Sequence, residues 1–387
     1  MNPFEHLDAS RVPSPCFVVD QAAVEANLKI LSYVQQKSGA KVLVALKAFS
    51  CWYLAPLVSR YLSGVCASGL YEARLGREEY GGEVHTFSAA YKEQDIAELC
   101  ELSDHLVFNS VGQWLRFKPL LMKAKANKPQ LSFGLRVNPE HSEAEVELYD
   151  PCSPQSRLGI TAKELEGCPM DDIEGIHFHT LCEQGLGPLR RTLVAVEEKF
   201  SPWLKHVDWV NFGGGHHITK PDYDVEGLIA LVKDFAERYQ VQVYLEPGEA
   251  LAIHSGVLVA EVLDIRRNGE LEQAILDTSA TCHMPDTLEM PYRAEILGAG
   301  TEGEKPYCYQ LGGMSCLAGD QMGLYFFDQP LKIGQRLLFD DMSHYTMVKT
   351  TTFNGVPLPS IAVWDSRTDE LKLVKTFGYR DFKDRLS

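Results

Sequence analysis

Eight short apolar runs punctuate the chain between Val42 and Gly248, with stretches of helical spacing among them. They read VLVALK, GVCASG, VHTFSA, HLVFNS, LSFGLRVN, GIHFHT, WVNFGGG and VYLEPG. Parallel strands need crossovers of a dozen or more residues, usually helical, so this alternation builds a parallel sheet with helices outside it. Eight repeats over such a span match an α/β fold, the (β/α)8 barrel of the TIM type. In AAVEANLKILSYVQQ, Val24, Leu28, Leu31 and Val34 fall on one helical face, with Asp20 placed as the N-cap.

After residue 255 the texture changes to GVLVAEVLDIRR, QAILDTSA, YCYQLGG, QRLLFDD, PSIAVWD and ELKLVKTF, with Gly, Pro and Asp between them. That pattern predicts a mostly β second domain. The expected organisation is a barrel over 21–255 and a β domain over 256–387. The N-terminal segment 1–20, through its strand CFVVD, joins the second domain.

Charge and apolar runs exclude whole classes of partner. With 53 acidic against 37 basic residues, a net charge of -16, the chain has no basic surplus to neutralise nucleic-acid phosphates. A cationic small molecule suits that field better. No run of about twenty apolar residues is long enough to cross a bilayer. The start, MNPFEHLDASRVPSP, lacks a secretory pattern, so a cytoplasmic enzyme is expected. The 10 cysteines include no CxxC pair and read as reduced thiols, mostly buried.

In a barrel of this kind the chemistry sits at the C-terminal ends of the strands. Lys47 closes the first run and is expected to be buried there, where a lysine can serve as a Schiff-base amine. A rim lysine paired with a carboxylate is the commoner reading of that one strand. His177 and His179 share a face of the sixth run, a spacing for a metal or a stacking platform, or for two satisfied core histidines. Gly213, Gly214 and Gly215 follow the seventh run, where successive N–H groups can form an anion nest or simply turn the chain. Glu246 ends the eighth run before a proline, a stiff turn that can aim a carboxylate into the barrel mouth.

In this order the four signals resemble the fold type III pyridoxal 5'-phosphate (PLP) decarboxylases, the alanine racemase-like group that contains ornithine and diaminopimelate decarboxylases. The resemblance implies that Lys47 carries the cofactor, His179 stacks on its ring, Gly213, Gly214 and Gly215 hold its phosphate, and Glu246 keeps its pyridine nitrogen protonated. It continues through GGMSCLAGD, which implies Cys316 as proton donor, and HYTMVKTTTFNG, which implies Tyr345 beside the phosphate. It also implies a homodimer in which Cys316, Asp320 and Tyr345 complete the partner's site.

The chain departs from the better-known members in telling places. It reads EPGEA where they read EPGR, so Glu249 stands in place of a phosphate-binding arginine, and Leu317 follows the cysteine where they have an acid. These features, with HMPDTLEMPY, are similar to the carboxynorspermidine decarboxylase branch, whose substrate is a carboxylated triamine. That implies a cationic polyamine substrate; the acids expected to accept from its further amines are Glu249, Asp286, Glu289 and Asp320, with Glu249 and Asp286 favoured because they sit in the departing motifs. Three other readings stay open. One is a decarboxylase for diaminopimelate or another basic amino acid. Another is a metal-dependent barrel hydrolase using His177 and His179 with Cys282, His283, His216 or His217. The third is a non-catalytic PLP-binding regulator.

Overall fold

The computed structural model describes residues 2–144, 146–153 and 155–387. All eight apolar runs become strands. They are β2 (Lys41–Ala45), β3 (Gly64–Ala67), β4 (Glu83–Phe87), β5 (His105–Phe108), β6 (Ser132–Arg136), β7 (Gly175–His177), β8 (Trp209–Asn211) and β9 (Gln242–Leu245), preceded by β1 (Cys16–Asp20). β2 to β9 form a closed parallel barrel in chain order, and β2 pairs with β9 through Lys41–Tyr244 and Val42–Leu245. Two glycines make room for its filling. A Cβ on Gly175 would lie 1.9 Å from the Trp209 indole and one on Gly134 2.4 Å from it, so neither position accepts a side chain while Trp209 fills the barrel.

The helices bury the faces their periodicity predicts. Val24, Leu28, Leu31 and Val34 of the helix Gln21–Ser38 are fully buried, and Asp20 caps it by accepting from the Ala22 N–H at 3.0 Å. Leu228, Ile229, Val232 and Phe235 do the same for Val225–Tyr239.

The chain divides into two compact units, Glu25–Leu251 and Met1–Val24 with Ala252–Ser387. The second unit holds β1 with β10 (Gly256–Asn268), β11 (Leu271–Leu276), β12 (Tyr307–Gly312), β13 (Gln321–Phe327), β14 (Arg336–Phe339), β15 (Ser360–Asp365) and β16 (Glu370–Lys375). Its strand order is β13-β12-β11-β10-β1-β15-β16, with β14 on β10. CFVVD therefore joins this sheet, antiparallel to β10 and parallel to β15. β13 was not among the expected runs. Gly323 interrupts its apolar pattern at a φ of 111°, yet Met322, Tyr325 and Phe327 are buried with Leu258 and Phe339 in one core. Among the described residues no helix is long and apolar enough to cross a membrane.

Candidate active site

The C-terminal ends of the barrel strands gather the expected polar residues. Lys47 lies in the turn after β2 and is exposed, which corrects the expectation of a buried lysine. The strand ends at Ala45, and the lysine is the exposed residue of the turn 46–48, between the buried Leu46 and Ala48. Glu246 follows β9, where its carboxylate accepts from Asn211 Nδ2 at 2.7 Å and meets His177 Nε2 at 3.3 Å. Burial alone would raise the Glu246 carboxyl, but His177 and the Asn211 amide outweigh it and hold the group at about 2. The carboxylate is thus anionic at neutral pH. His177 is depressed by its own burial, so it meets Glu246 as a neutral donor.

Asn211 was not singled out in the sequence. Its amide joins two parts of the site, because its Oδ1 also accepts the Gly213 N–H at 2.8 Å. The next N–H, of Gly214, donates to His179 Nδ1 at 2.9 Å. Two of the three glycine N–H groups expected to form an anion nest therefore have acceptors within the protein. The glycines themselves are required by close approach. Gly213 and Gly215 adopt φ of 69° and 83°, and a Cβ on Gly214 would sit 2.3 Å from the Glu246 carbonyl.

The field of Lys47 reaches across this mouth. His179 is driven well below the usual histidine range by burial and then by Lys47 and Arg136, which leaves a neutral imidazole just past the end of β7. Burial raises the Cys66 thiol, with Glu246 adding to the effect and Lys47 opposing it; Glu72 is raised by burial and pulled back by Ser68 and Lys47. Cys66, Glu72 and Arg136 belong to the same polar rim. CASGLYE, which runs out of the second barrel strand, was the legible signal for Cys66 and Glu72, since its acid falls just beyond the strand end; Arg136 closes β6.

The metal-site alternative loses the His177 and His179 pair at its centre, and His283 with it. His177 faces Glu246 and His179 accepts from Gly214, while His283 meets the Thr278 hydroxyl at 2.9 Å and the Pro357 carbonyl at 3.0 Å. Among the described residues, the clusters whose ligand atoms lie within 4.8 Å of one another are Glu83–His85–His105 and Glu183–His217–Glu249. Neither contains the His177 and His179 pair.

In the sheet unit, Cys316 is exposed and its N–H donates to Asn354 Oδ1 at 2.8 Å. Asp320 is buried and accepts from the Ser279 hydroxyl at 2.8 Å and the Ser315 N–H at 3.2 Å, which fixes the Cys316 loop. Asp286, expected at a substrate amine, pairs with Lys349. Tyr345 stands at a φ of 41°, a conformation that costs a bulky residue free energy and recurs at functional sites.

Residues 16–343 match the family model described as pyridoxal-dependent decarboxylase, C-terminal sheet domain. The chain belongs to this family. Among curated members it is 47% identical to the carboxynorspermidine/carboxyspermidine decarboxylase of Campylobacter jejuni, covering 97% of this chain and 99% of that one. It is 43% identical to the carboxyaminopropylagmatine decarboxylase of Synechocystis, over 100% and 98%. The crystal structure of the Campylobacter jejuni carboxynorspermidine decarboxylase complexed with norspermidine superposes with a TM-score of 0.89 at 45% identity, covering 97% of this chain and all of that one. Diaminopimelate decarboxylase from Helicobacter pylori, at 16% identity and a TM-score of 0.80, shares the fold.

A pyridoxal-dependent decarboxylase needs an amine, an acid for a ring nitrogen, a flat partner for the ring and a phosphate cradle. The barrel mouth of this family member supplies Lys47, the anionic Glu246, the neutral His179 and a turn of three glycines. The residues present fit the group.

Proposed function

We propose that the protein removes the α-carboxylate from a carboxylated polyamine, in polyamine biosynthesis, with PLP as cofactor. Near full-length identity of 47% and 43% to enzymes acting on carboxynorspermidine, carboxyspermidine and carboxyaminopropylagmatine supports the substrate class. The observation that carries the cofactor assignment is Glu246, an anionic carboxylate fixed by His177 and Asn211 at the strand ends. When bound, PLP supplies the electron sink that makes loss of carbon dioxide accessible. Lys47 would hold it covalently, Glu246 would pair with the protonated ring nitrogen, and His179 would fix the ring plane. Gly213, Gly214, Gly215 and Tyr345 would surround the phosphate. Because the Gly213 and Gly214 N–H groups are engaged internally, positive φ and close approach matter there more than a full nest.

Cys316 would return a proton to the α-carbon after the bond to the carboxylate breaks. In this reading the protein works in the cytoplasm as a homodimer, with Cys316, Asp320 and Tyr345 of one copy serving the barrel of the other. Glu249 would receive a substrate amine. Asp286 would have to leave Lys349 to do so, which makes it the weakest contributor of the set. The barrel, 21–255, would be the cofactor domain, and 256–387 with the N-terminal strand the domain that completes the partner's site.

A mass-spectrometric assay offering carboxynorspermidine, carboxyspermidine, carboxyaminopropylagmatine, ornithine, lysine and diaminopimelate tests the substrate class. Carbon dioxide loss is expected from the carboxylated polyamines and at least about tenfold less efficiently from the amino acids. Preference for diaminopimelate, or no turnover of any compound by the PLP-loaded enzyme, overturns it. The dimer is tested by mixing inactive Lys47→Ala and Cys316→Ala subunits. Recovered activity is expected, and none after proven exchange overturns the shared site.

A further inference from the structure

Residues 378–387, which end the chain, have little core to hold them. All but Phe382 are exposed, and a terminus of that kind is ordered only where it is tied down. The short helix Tyr379–Lys383 begins where the Gly378 N–H donates to Asp381 Oδ2 at 2.7 Å, and beyond it the Asp384 N–H donates to the Arg380 carbonyl at 2.9 Å. The side-chain contacts that tie this turn to the rest of the sheet unit reach one loop. Arg385 Nε donates to Thr352 Oγ1 at 2.7 Å, and the Phe382 ring lies over Gly355, 3.7 to 3.9 Å from where a Cβ there would stand.

That loop carries the residue that meets Cys316. Asn354 and Gly355 adopt φ of 56° and 74°, and from this left-handed pair the Asn354 side chain accepts the Cys316 N–H at 2.8 Å. A non-glycine residue in that region costs free energy and persists where its surroundings over-determine it. Two sets of contacts do so. On the buried side the Thr351 N–H donates to the Cys282 carbonyl at 2.8 Å, and the Cys282 thiol reaches the Phe353 carbonyl at 3.6 Å. On the exposed side stand Phe382 and Arg385, bearing on Gly355 and Thr352 to either side of Asn354. The Cys316 loop is thus held at two points, by Asp320 at Ser315 and by Asn354 at Cys316, and the end of the chain backs the second.

We propose that the C-terminal turn is a brace for the proton donor: Phe382 and Arg385 are positioning residues that fix loop 351–355 and, through Asn354, hold Cys316 in one place. This rests on the proposed role of Cys316 and names what steadies it. A proton that misses the α-carbon goes instead to the carbon that is the aldehyde carbon of free PLP. Carbon dioxide is lost as before, but the substrate then leaves as an aldehyde and its amine stays on the cofactor as pyridoxamine phosphate. The α-carbon is oxidised and the cofactor carbon reduced, so no outside redox partner is needed. A loosened donor therefore gives the wrong product rather than weaker binding.

Hydrogen exchange of the PLP-loaded full chain, read by mass spectrometry on the peptide containing Cys316, reports the N–H that Asn354 accepts. Phe382→Ala, Arg385→Ala and, as the direct link, Asn354→Ala are each expected to speed that exchange roughly three- to tenfold, the factor one net hydrogen bond carries. Arg385→Lys, which keeps a donor near Thr352, should fall closer to wild type, and Lys383→Ala, at an exposed position of the same turn, should match it. With a carboxylated polyamine as substrate, the ratio of pyridoxamine phosphate to amine product should rise by a similar factor in Phe382→Ala and Arg385→Ala, with KM within about twofold. Exchange equal to wild type in both tail variants overturns the brace. Acceleration spread evenly over the sheet unit overturns it too, since the turn then only stabilises the fold, and so does local acceleration with an unchanged product ratio. Failure of the parent reading is separate: Cys316→Ala would then give the wild-type product ratio, whatever the tail variants do to exchange.

Discussion

Among the described residues the barrel interior contains two carboxylate–histidine pairs, one near each end, and their surroundings differ. Near the N-terminal end Glu83, the first residue of β4, meets His85 Nε2 at 3.0 Å and pairs with Lys41, the first residue of β2. Near the C-terminal end Glu246 meets His177 and Asn211. Burial would raise both carboxyls, and in both cases the neighbouring histidine and the hydrogen-bond donors prevail and hold the group at about 2. The lower pair is closed. Lys41 neutralises it, His85 stacks on His105 at 3.8 Å, and His105 stacks on Trp209 at 4.5 Å. The upper carboxylate hydrogen-bonds no lysine or arginine among the described residues, so its charge is left to pair with something brought in. On the proposed function, what separates a structural acid from a chemical one in this barrel is the presence of a resident cation.

The largest effect that could break this contrast is on turnover. Lys47→Ala and Glu246→Gln should each lower kcat by about 10^3-fold or more, the order expected when a covalent or charge-stabilising catalytic group is removed. The fold should be retained, as read by circular dichroism. Borohydride reduction of the wild-type holoenzyme should fix the cofactor on the peptide containing Lys47; label on another lysine would remove the strand assignment. Should Glu246→Gln instead keep activity and lose stability, the upper pair is no different from the lower.

Glu83→Gln is the mirror of that experiment. It leaves Lys41 and a buried imidazole without their charged acceptor, so unfolding free energy should fall by about 1–3 kcal/mol. Specific activity of the folded fraction should stay within about twofold. A urea midpoint together with kcat on the same preparation decides it, and loss of activity without loss of stability would give the lower end a chemical role.

The barrel was legible because its signal is repeated. Eight apolar runs at crossover spacing leave few other folds, and each run became a strand. The placement of candidate residues was legible at strand ends, since Lys47, His179 and Glu246 each lie just past a barrel strand. Asn211 was missed because its role depends on reaching two groups at once, Gly213 and Glu246, which no local pattern records. The exposure of Lys47 was missed for a related reason, since an apolar run does not show whether its last residue lies in the strand or in the turn beyond it. Asp286 and Asp320 were read as candidate amine acceptors from position alone. Their partners, Lys349 for one and Ser279 and Ser315 for the other, are distant in sequence or belong to a loop whose shape only folding sets.

Acid sharpens the contrast more gently. Burial keeps His105 well below the usual histidine range and His216 at about 4, whereas unfolded histidines titrate near 6.5. Below about 6.5 the unfolded chain therefore binds protons that the native chain does not. Stability should be full above that pH and decline as pH falls toward the folded values, by about 1.4 kcal/mol per pH unit for each such histidine. The two glutamates act later, because their folded values near 2 preserve their contribution down to the unfolded value of 4.5. Denaturation at pH 6.5, 5.5 and 4.5 should show this slope, and His105→Phe should flatten it by one histidine's share. An unchanged slope would mean that His105 titrates normally in the fold.

The smallest effect tests whether the rule extends to the sheet unit. Asp286 resembles the lower pair: Lys349 already closes it, and Lys349 also reaches Glu289 at 3.0 Å. The lysine is about one-third exposed, so water screens the pair and its contribution to stability should be below about 1 kcal/mol. If a resident cation withdraws an acid from ligand recognition, Asp286→Asn should raise KM for a carboxylated polyamine less than about threefold, with kcat unchanged. Glu249→Gln, whose carboxylate meets His217 and pairs with no lysine or arginine among the described residues, should raise it far more. A rise in KM for Asp286→Asn equal to that for Glu249→Gln would show that a lysine-paired acid can still be released to a substrate. Resident charge would then no longer distinguish the acids that bind from those that brace.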